Sequence, residues 1–211
     1  MLFRSDLLAA IPSISFALWG FIYLMPRIIG TDTWLAHHLG FIPFLHFTKT
    51  YTPSEFVGSE FIGGLVVSMM VIPIIASLSR QVFSQAPQGE REAAYALGAT
   101  RWGMVRTVVL PFGRAGVIGA SMLGLGRALG ETIAVSFILS PPTDTFSYHV
   151  LEGGGNSITA LIANELPSYN GIGIDYLLAT ALTLFVLTLI INTLAAIVIN
   201  RSRSGAATEA D

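Results

Sequence analysis

Apolar residues along this chain gather into four long runs, at about 7–25, 61–78, 115–139 and 176–199, separated by polar stretches. Each run approaches the roughly 20 residues that an α-helix needs to cross the hydrocarbon of a bilayer. Residues apolar on every side leave no face for water. The pattern predicts an all-α membrane protein with about four transmembrane helices, and no linker or internal repeat divides it. The first run is too long for the apolar core of a secretory leader and ends in no small-x-small cleavage pattern, so it reads as a retained span. Pro73 lies within the second run, where neighbouring helices must absorb the kink.

Composition supports this reading, with 53% hydrophobic and 11% charged residues, against roughly one quarter charged in soluble domains. A net charge of -2 provides no field for nucleic acid. The absence of cysteine excludes disulfides, zinc-thiolate sites and thiol nucleophiles. Charge placement says more than charge total. Arg80, Arg91, Arg101, Arg106 and Arg114 lie between the second and third runs, and Arg201 and Arg203 follow the fourth, whereas the loops at 27–60 and 141–175 carry only Arg27 and Lys49 between them. The excess of arginine marks the cytoplasmic side, so both termini are expected inside.

The polar segment at about 86–111 has internal structure. Pro87 and Gly89 punctuate its approach, and Glu90 and Glu92 sit where a helix N-terminus favours negative charge. Gly98 suits the left-handed residue that ends a helix, and Pro111 marks entry into the next span. The result is a helix-glycine-helix elbow. Spacing alone leaves two readings, a shape made to enter a groove on a partner and a solvated connector.

Glu92, Ala93 and Ala94, followed by Gly98, Val108, Leu110 and Pro111, resemble the EAA loop of bacterial ABC importer permeases, with valine in place of isoleucine at 108. The resemblance implies that Glu92, Ala93, Ala94, Gly98, Leu110 and Pro111 form a coupling loop that docks on a separate ATPase. The chain has no G-x-x-x-x-G-K-[ST] loop, and Gly153, Gly154 and Gly155 are followed by Asn156 and Ser157 without a lysine, so the triple glycine reads as a flexible turn. No cofactor is expected on this chain; ATP and Mg would be used by the partner ATPase.

Arg127 and Glu131 fall near the middle of the third run, where each charge costs about 3 kcal/mol on insertion scales. Their i, i+4 spacing would place both on one face of a continuous helix, able to pair. Gly124, Gly126 and Gly130 remove bulk around them, and Gly126 with Gly130 has the small-xxx-small spacing of closely packed membrane helices. Two readings follow, an ion pair that fixes helix packing and a passage for an anion. A guanidinium offers an anion a planar fork of donors and a charge that does not titrate away. Glu131 would hold that arginine when no anion is present.

The stretch from Gly124 through Arg127, Gly130, Glu131 and Thr132 to Val135 resembles the signature of PstC-type permeases of the phosphate-specific Pst transporter. The segments Leu8 to Gly20 and Ile72 to Ser77 are similar to the same family. The resemblance implies a type I ABC importer permease with a MetI-like helical bundle, residues 1–211 forming one permease domain. It also implies a PstA-like second permease, a pair of PstB-like ATP-binding subunits and a PstS-like extracytoplasmic phosphate-binding protein, in contact with membrane lipid. Such permeases carry about two further spans upstream, so an N-terminally truncated bundle is expected. Alternatives are a permease for sulfate or molybdate, an ATPase-independent channel or secondary transporter, and a non-transporting fragment.

Other polar residues have simpler readings. His37, His38 and His46 are expected on the surface and no metal site is expected. Trp19, Trp34 and Tyr176 suit the ends of spans. Asn156 is expected to cap a short helix at 157–166. Asn192, the lone amide of the fourth run, is expected in a helix-helix hydrogen bond, with a place in the passage as the other reading.

Overall fold

The computed structural model describes residues 12–47, 56–139 and 149–203. The start of the first run, at 7–11, Lys49 and the segment at 140–148 lie outside the described residues. Nine α-helices occur among those described: α1 Ser13–Trp19, α2 Met25–Leu39, α3 Glu60–Ser84, α4 Gln88–Ala96, α5 Arg101–Met104, α6 Leu110–Leu129, α7 Ile133–Ile138, α8 Ile158–Glu165 and α9 Ile172–Arg203. Wider π turns at Gly20–Leu24 and Val105–Val109 join α1 to α2 and α5 to α6. Four helical stretches are long and apolar enough to cross a membrane, Ser13–Leu39, Glu60–Ser84, Arg101–Leu129 and Ile172–Ile197.

The four spans match the four apolar runs, but their boundaries differ in three informative ways. The first helix continues to Leu39, so His37 and His38 are helical and exposed. His38 stacks on Trp34 at 4.6 Å, and its Nδ1 lies 2.9 Å from the Trp34 carbonyl. Second, Pro111 does not open a span, because the helix is already running from Arg101. A proline clashes with the carbonyl four residues earlier, and the π turn at Val105–Val109 widens the ladder where that clash would fall. Third, the run at 115–139 is not one helix. It stops at Leu129, turns through Gly130, Glu131 and Thr132, and resumes as the short α7.

The described chain forms two compact units. One holds Val71–Arg127 and the part of α9 from Leu187. There α6 lies against α3 through glycines: a side chain at Gly113 would meet Phe83, one at Gly116 would meet Val82, and a Cβ at Gly124 would fall 2.6 Å from Ile75 and 2.8 Å from Val71. Contact numbers fall along α3 as they rise along α6, so the two run antiparallel with their backbones close. Absent side chains permit this approach, which maximises van der Waals contact where lipid supplies no hydrophobic drive.

The other unit comprises Ala10–Met70 and Ala128–Val186. Its apolar clusters are Met25, Ile62, Val66 and Ile138, and Ala36, Leu45, Phe47, Phe56 and Leu151. Gly20 brings the first helix close enough that a Cβ there would stand 2.6 Å from Val66. Phe47 and Phe56 stack at 4.3 Å. The backbone of Phe61 donates to Val150 and that of Val150 to Phe44, and an isolated bridge joins Ser59 to Gly153, so three loops are tied together. Ser157 rather than Asn156 caps α8, its Oγ accepting from the Ala160 amide at 3.1 Å.

Candidate functional site

The elbow between α4 and α5 is built from local hydrogen bonds. The Leu97, Gly98 and Ala99 amides donate to the Ala93, Tyr95 and Ala94 carbonyls at 3.1, 2.9 and 3.0 Å. This pattern closes α4 only if the chain turns left-handed, and Gly98 has φ +82°. Thr100 then caps α5, its Oγ1 accepting from the Gly103 amide at 3.1 Å. Gln88 steadies Glu92 through a 2.9 Å hydrogen bond. Glu92 and Ala93 are exposed and Ala94 is half-buried. Leu97 is 89% exposed and Trp102 68% exposed, on either side of Gly98. Beside the elbow an open hollow of about 720 Å³ is lined by Arg80, Arg91, Tyr95 and Arg101. Leu110 and Pro111, grouped with the loop by resemblance, instead begin α6.

Arg127 occupies the last turn of α6 and is exposed. With Gly119, Met122, Leu123 and Gly126 of the same helix, Ile74 of α3, and Asn192, Ala195, Ala196 and Ile199 of α9, it lines an open hollow of about 650 Å³. Arg127 and Asn192 are the two lining residues with polar side chains. Among the described residues, neither side chain is engaged in a hydrogen bond or ion pair. The helix-helix hydrogen bond expected for Asn192 is therefore not made within the described chain.

Glu131 is placed differently. Because α6 ends at Leu129, the one helical face that was to pair Arg127 with Glu131 is not formed. Glu131 is 8% exposed, and its Oε1 accepts from the Ala134 amide at 3.2 Å, capping the first turn of α7. Its carbonyl accepts from Thr159 Oγ1 at 2.9 Å. The carboxylate thus satisfies an amide that a new helix leaves without an intrahelical acceptor.

The three glycines also separate. Gly124 makes the close contact with α3, whereas a Cβ at Gly126 would meet nothing within 4 Å and faces the hollow. Gly130 lies beyond the end of α6, so Gly126 and Gly130 do not form a helix-packing pair on one helix. Gly113 and Gly116 do that work with Gly124. Thr159 was not legible as a partner of Glu131, since the two stand 28 residues apart. Leu97 and Trp102 were findable as large apolar residues flanking a turn glycine. No group of three histidine or carboxylate side chains able to hold a metal occurs among the described residues.

Comparison with known proteins places these features in a family. The chain is 42% identical over 187 residues to the phosphate transport system permease protein PstC 2 of Mycobacterium tuberculosis, a match covering 89% of this chain and 57% of that protein. It is 40% identical over 190 residues to PstC of Mycobacterium leprae, covering 90% and 59%, and 39% identical over 201 residues to PstC of Haemophilus influenzae, covering 93% and 61%. The chain thus spans about three fifths of the length of these relatives. Residues 1–204 match the binding-protein-dependent transport system inner membrane components, and the chain, with its membrane-length helices, belongs to that family of permeases.

Proposed function

We propose that this chain is a permease subunit of an ATP-driven importer that carries inorganic phosphate across the cytoplasmic membrane. The observation that carries the reading is Arg127, a permanent charge on a membrane-length helix that opens into a hollow whose other lining residues are uncharged. Such a charge is costly in lipid and marks an ion path when it faces a cavity. An oxyanion supplies the charge complement and accepts two parallel N–H bonds from the guanidinium. The PstC names of the relatives favour phosphate among oxyanions.

In this reading Arg127 is the anion ligand, and Glu131 belongs to the passage as the residue that fixes the turn after α6. The elbow around Glu92, Ala93, Ala94 and Gly98 docks on a PstB-like ATPase subunit. Its exposed Leu97 and Trp102 supply the apolar anchors that interfaces favour over lysine-rich surface. ATP and Mg are used there and not on this chain. A PstA-like permease and a PstS-like binding protein complete the assembly, with both termini of this chain cytoplasmic.

The test is ATP-dependent phosphate uptake by the transporter reconstituted in vesicles. Arg127→Gln should reduce uptake to background while the variant still inserts and co-purifies with its ATPase. Uptake at the unmodified rate would reject the reading.

A further inference from the structure

We propose that Asn192 is a second ligand for the transported anion, forming with Arg127 a two-point seat for a tetrahedral oxyanion. The inference rests on the reading of Arg127 above and extends it to a residue on another helix. The two residues come from α6 and α9, and they are the polar side chains of a hollow otherwise lined by glycine, alanine, leucine, isoleucine and methionine. Both are exposed to that hollow, and among the described residues neither is committed to a side-chain hydrogen bond or ion pair. An amide inside a membrane span is ordinarily engaged with a neighbouring helix; one that opens into a cavity beside a free guanidinium has a ligand as its natural complement.

The chemistry of the pair is complementary. A guanidinium only donates, whereas an amide offers both donors and an acceptor. Phosphate near neutral pH has unprotonated oxygens and at least one P–OH group. Arg127 can fork onto two unprotonated oxygens while the Asn192 oxygen accepts from the hydroxyl or its NH2 group donates to another oxygen. Asn192 adds hydrogen bonds without adding charge. A second cation would hold the anion more tightly than passage allows, since transport requires a site weak enough to leave.

The experiment uses the whole transporter in lipid nanodiscs and reads the rate at which phenylglyoxal labels Arg127, measured by mass spectrometry of the peptide that contains it, with and without inorganic phosphate. In the unmodified protein, saturating phosphate should slow labelling about tenfold. Asn192→Leu should raise the phosphate concentration needed for half-protection about tenfold, the scale of one lost hydrogen bond to a charged group. Asn192→Asp, nearly the same in shape, should lose protection because its charge repels the anion, while its thermal stability without phosphate stays within a few degrees of the original. A purely packing role for Asn192 predicts half-protection unchanged in Asn192→Leu, whereas a carboxylate in the same hollow repels the anion whatever the native residue does.

Half-protection within about twofold of the original in Asn192→Leu would overturn the inference and leave the Arg127 reading standing. An Arg127 that phosphate never protects, or that never reacts because protein fills the hollow, would overturn both.

Discussion

Two turns in this chain have the same outline, a helix, a glycine and another helix, yet they are made by different physics. At the elbow between α4 and α5 Gly98 takes a left-handed backbone with open space where a Cβ would be, and the hydrogen bonds that close it join residues within five positions of one another. At the turn after α6, Gly130 is not left-handed. The chain is held instead by the Glu131 carboxylate on Ala134 and by Thr159, which reaches the Glu131 carbonyl from another helix. The first turn is a local structure that presents itself to the outside. The second is held by a tertiary contact, and it frees Arg127 from the partner that sequence spacing assigned to it.

That contrast can be broken first at Gly98. Gly98→Val should cost the most, because a β-branched residue tolerates positive φ poorly; at least a tenfold loss of co-purifying ATPase is expected in a pull-down from detergent. Asn tolerates the left-handed region, so Gly98→Asn should recover most of the complex. Equal losses for the two would show that the empty space around Gly98, and not its backbone, is what the partner reads.

A smaller effect, in opposite senses two residues apart, is expected on α6. Gly124→Ala inserts a Cβ 2.6 Å from Ile75 and should destabilise the protein by about 1–3 kcal/mol, seen as a lower melting temperature in detergent. Gly126→Ala meets nothing within 4 Å and should be neutral or stabilising by up to about 1 kcal/mol, as alanine favours helix over glycine. A matching loss at Gly126 would mean that another chain lies close against that face.

The smallest effect is expected at the second turn. Glu131→Ala removes the cap of α7 and should cost about 1 kcal/mol, whereas Glu131→Gln keeps an oxygen for the Ala134 amide and should retain most of that stability. If the glutamine variant keeps its melting temperature but loses phosphate uptake, the negative charge of Glu131 serves transport beyond its role as a cap.

How much was legible follows the range of the forces. The membrane class and four spans were readable because burial in lipid acts on composition, residue by residue. The elbow was readable because proline, glutamate and glycine set its backbone over a few positions. The pairing of Arg127 with Glu131 was misread because helical spacing assumes a continuous helix. Nothing local forbids one there, and the break is secured by Thr159, 28 residues away. Asn192 was read as a packing residue for the same reason, since a lone amide in an apolar span has the same sequence context whether it meets a helix or a cavity.

By itself the sequence determined an all-helical membrane chain, its helix-glycine-helix elbow, and an arginine whose charge demands a complement. Tertiary structure decided what each of these positions faces: Glu131 a helix end, Gly124 the neighbouring helix, Arg127 and Asn192 an open hollow. The physical reason is that hydration cost belongs to a residue, whereas its compensation belongs to a place, and places are made by helices far apart in the chain.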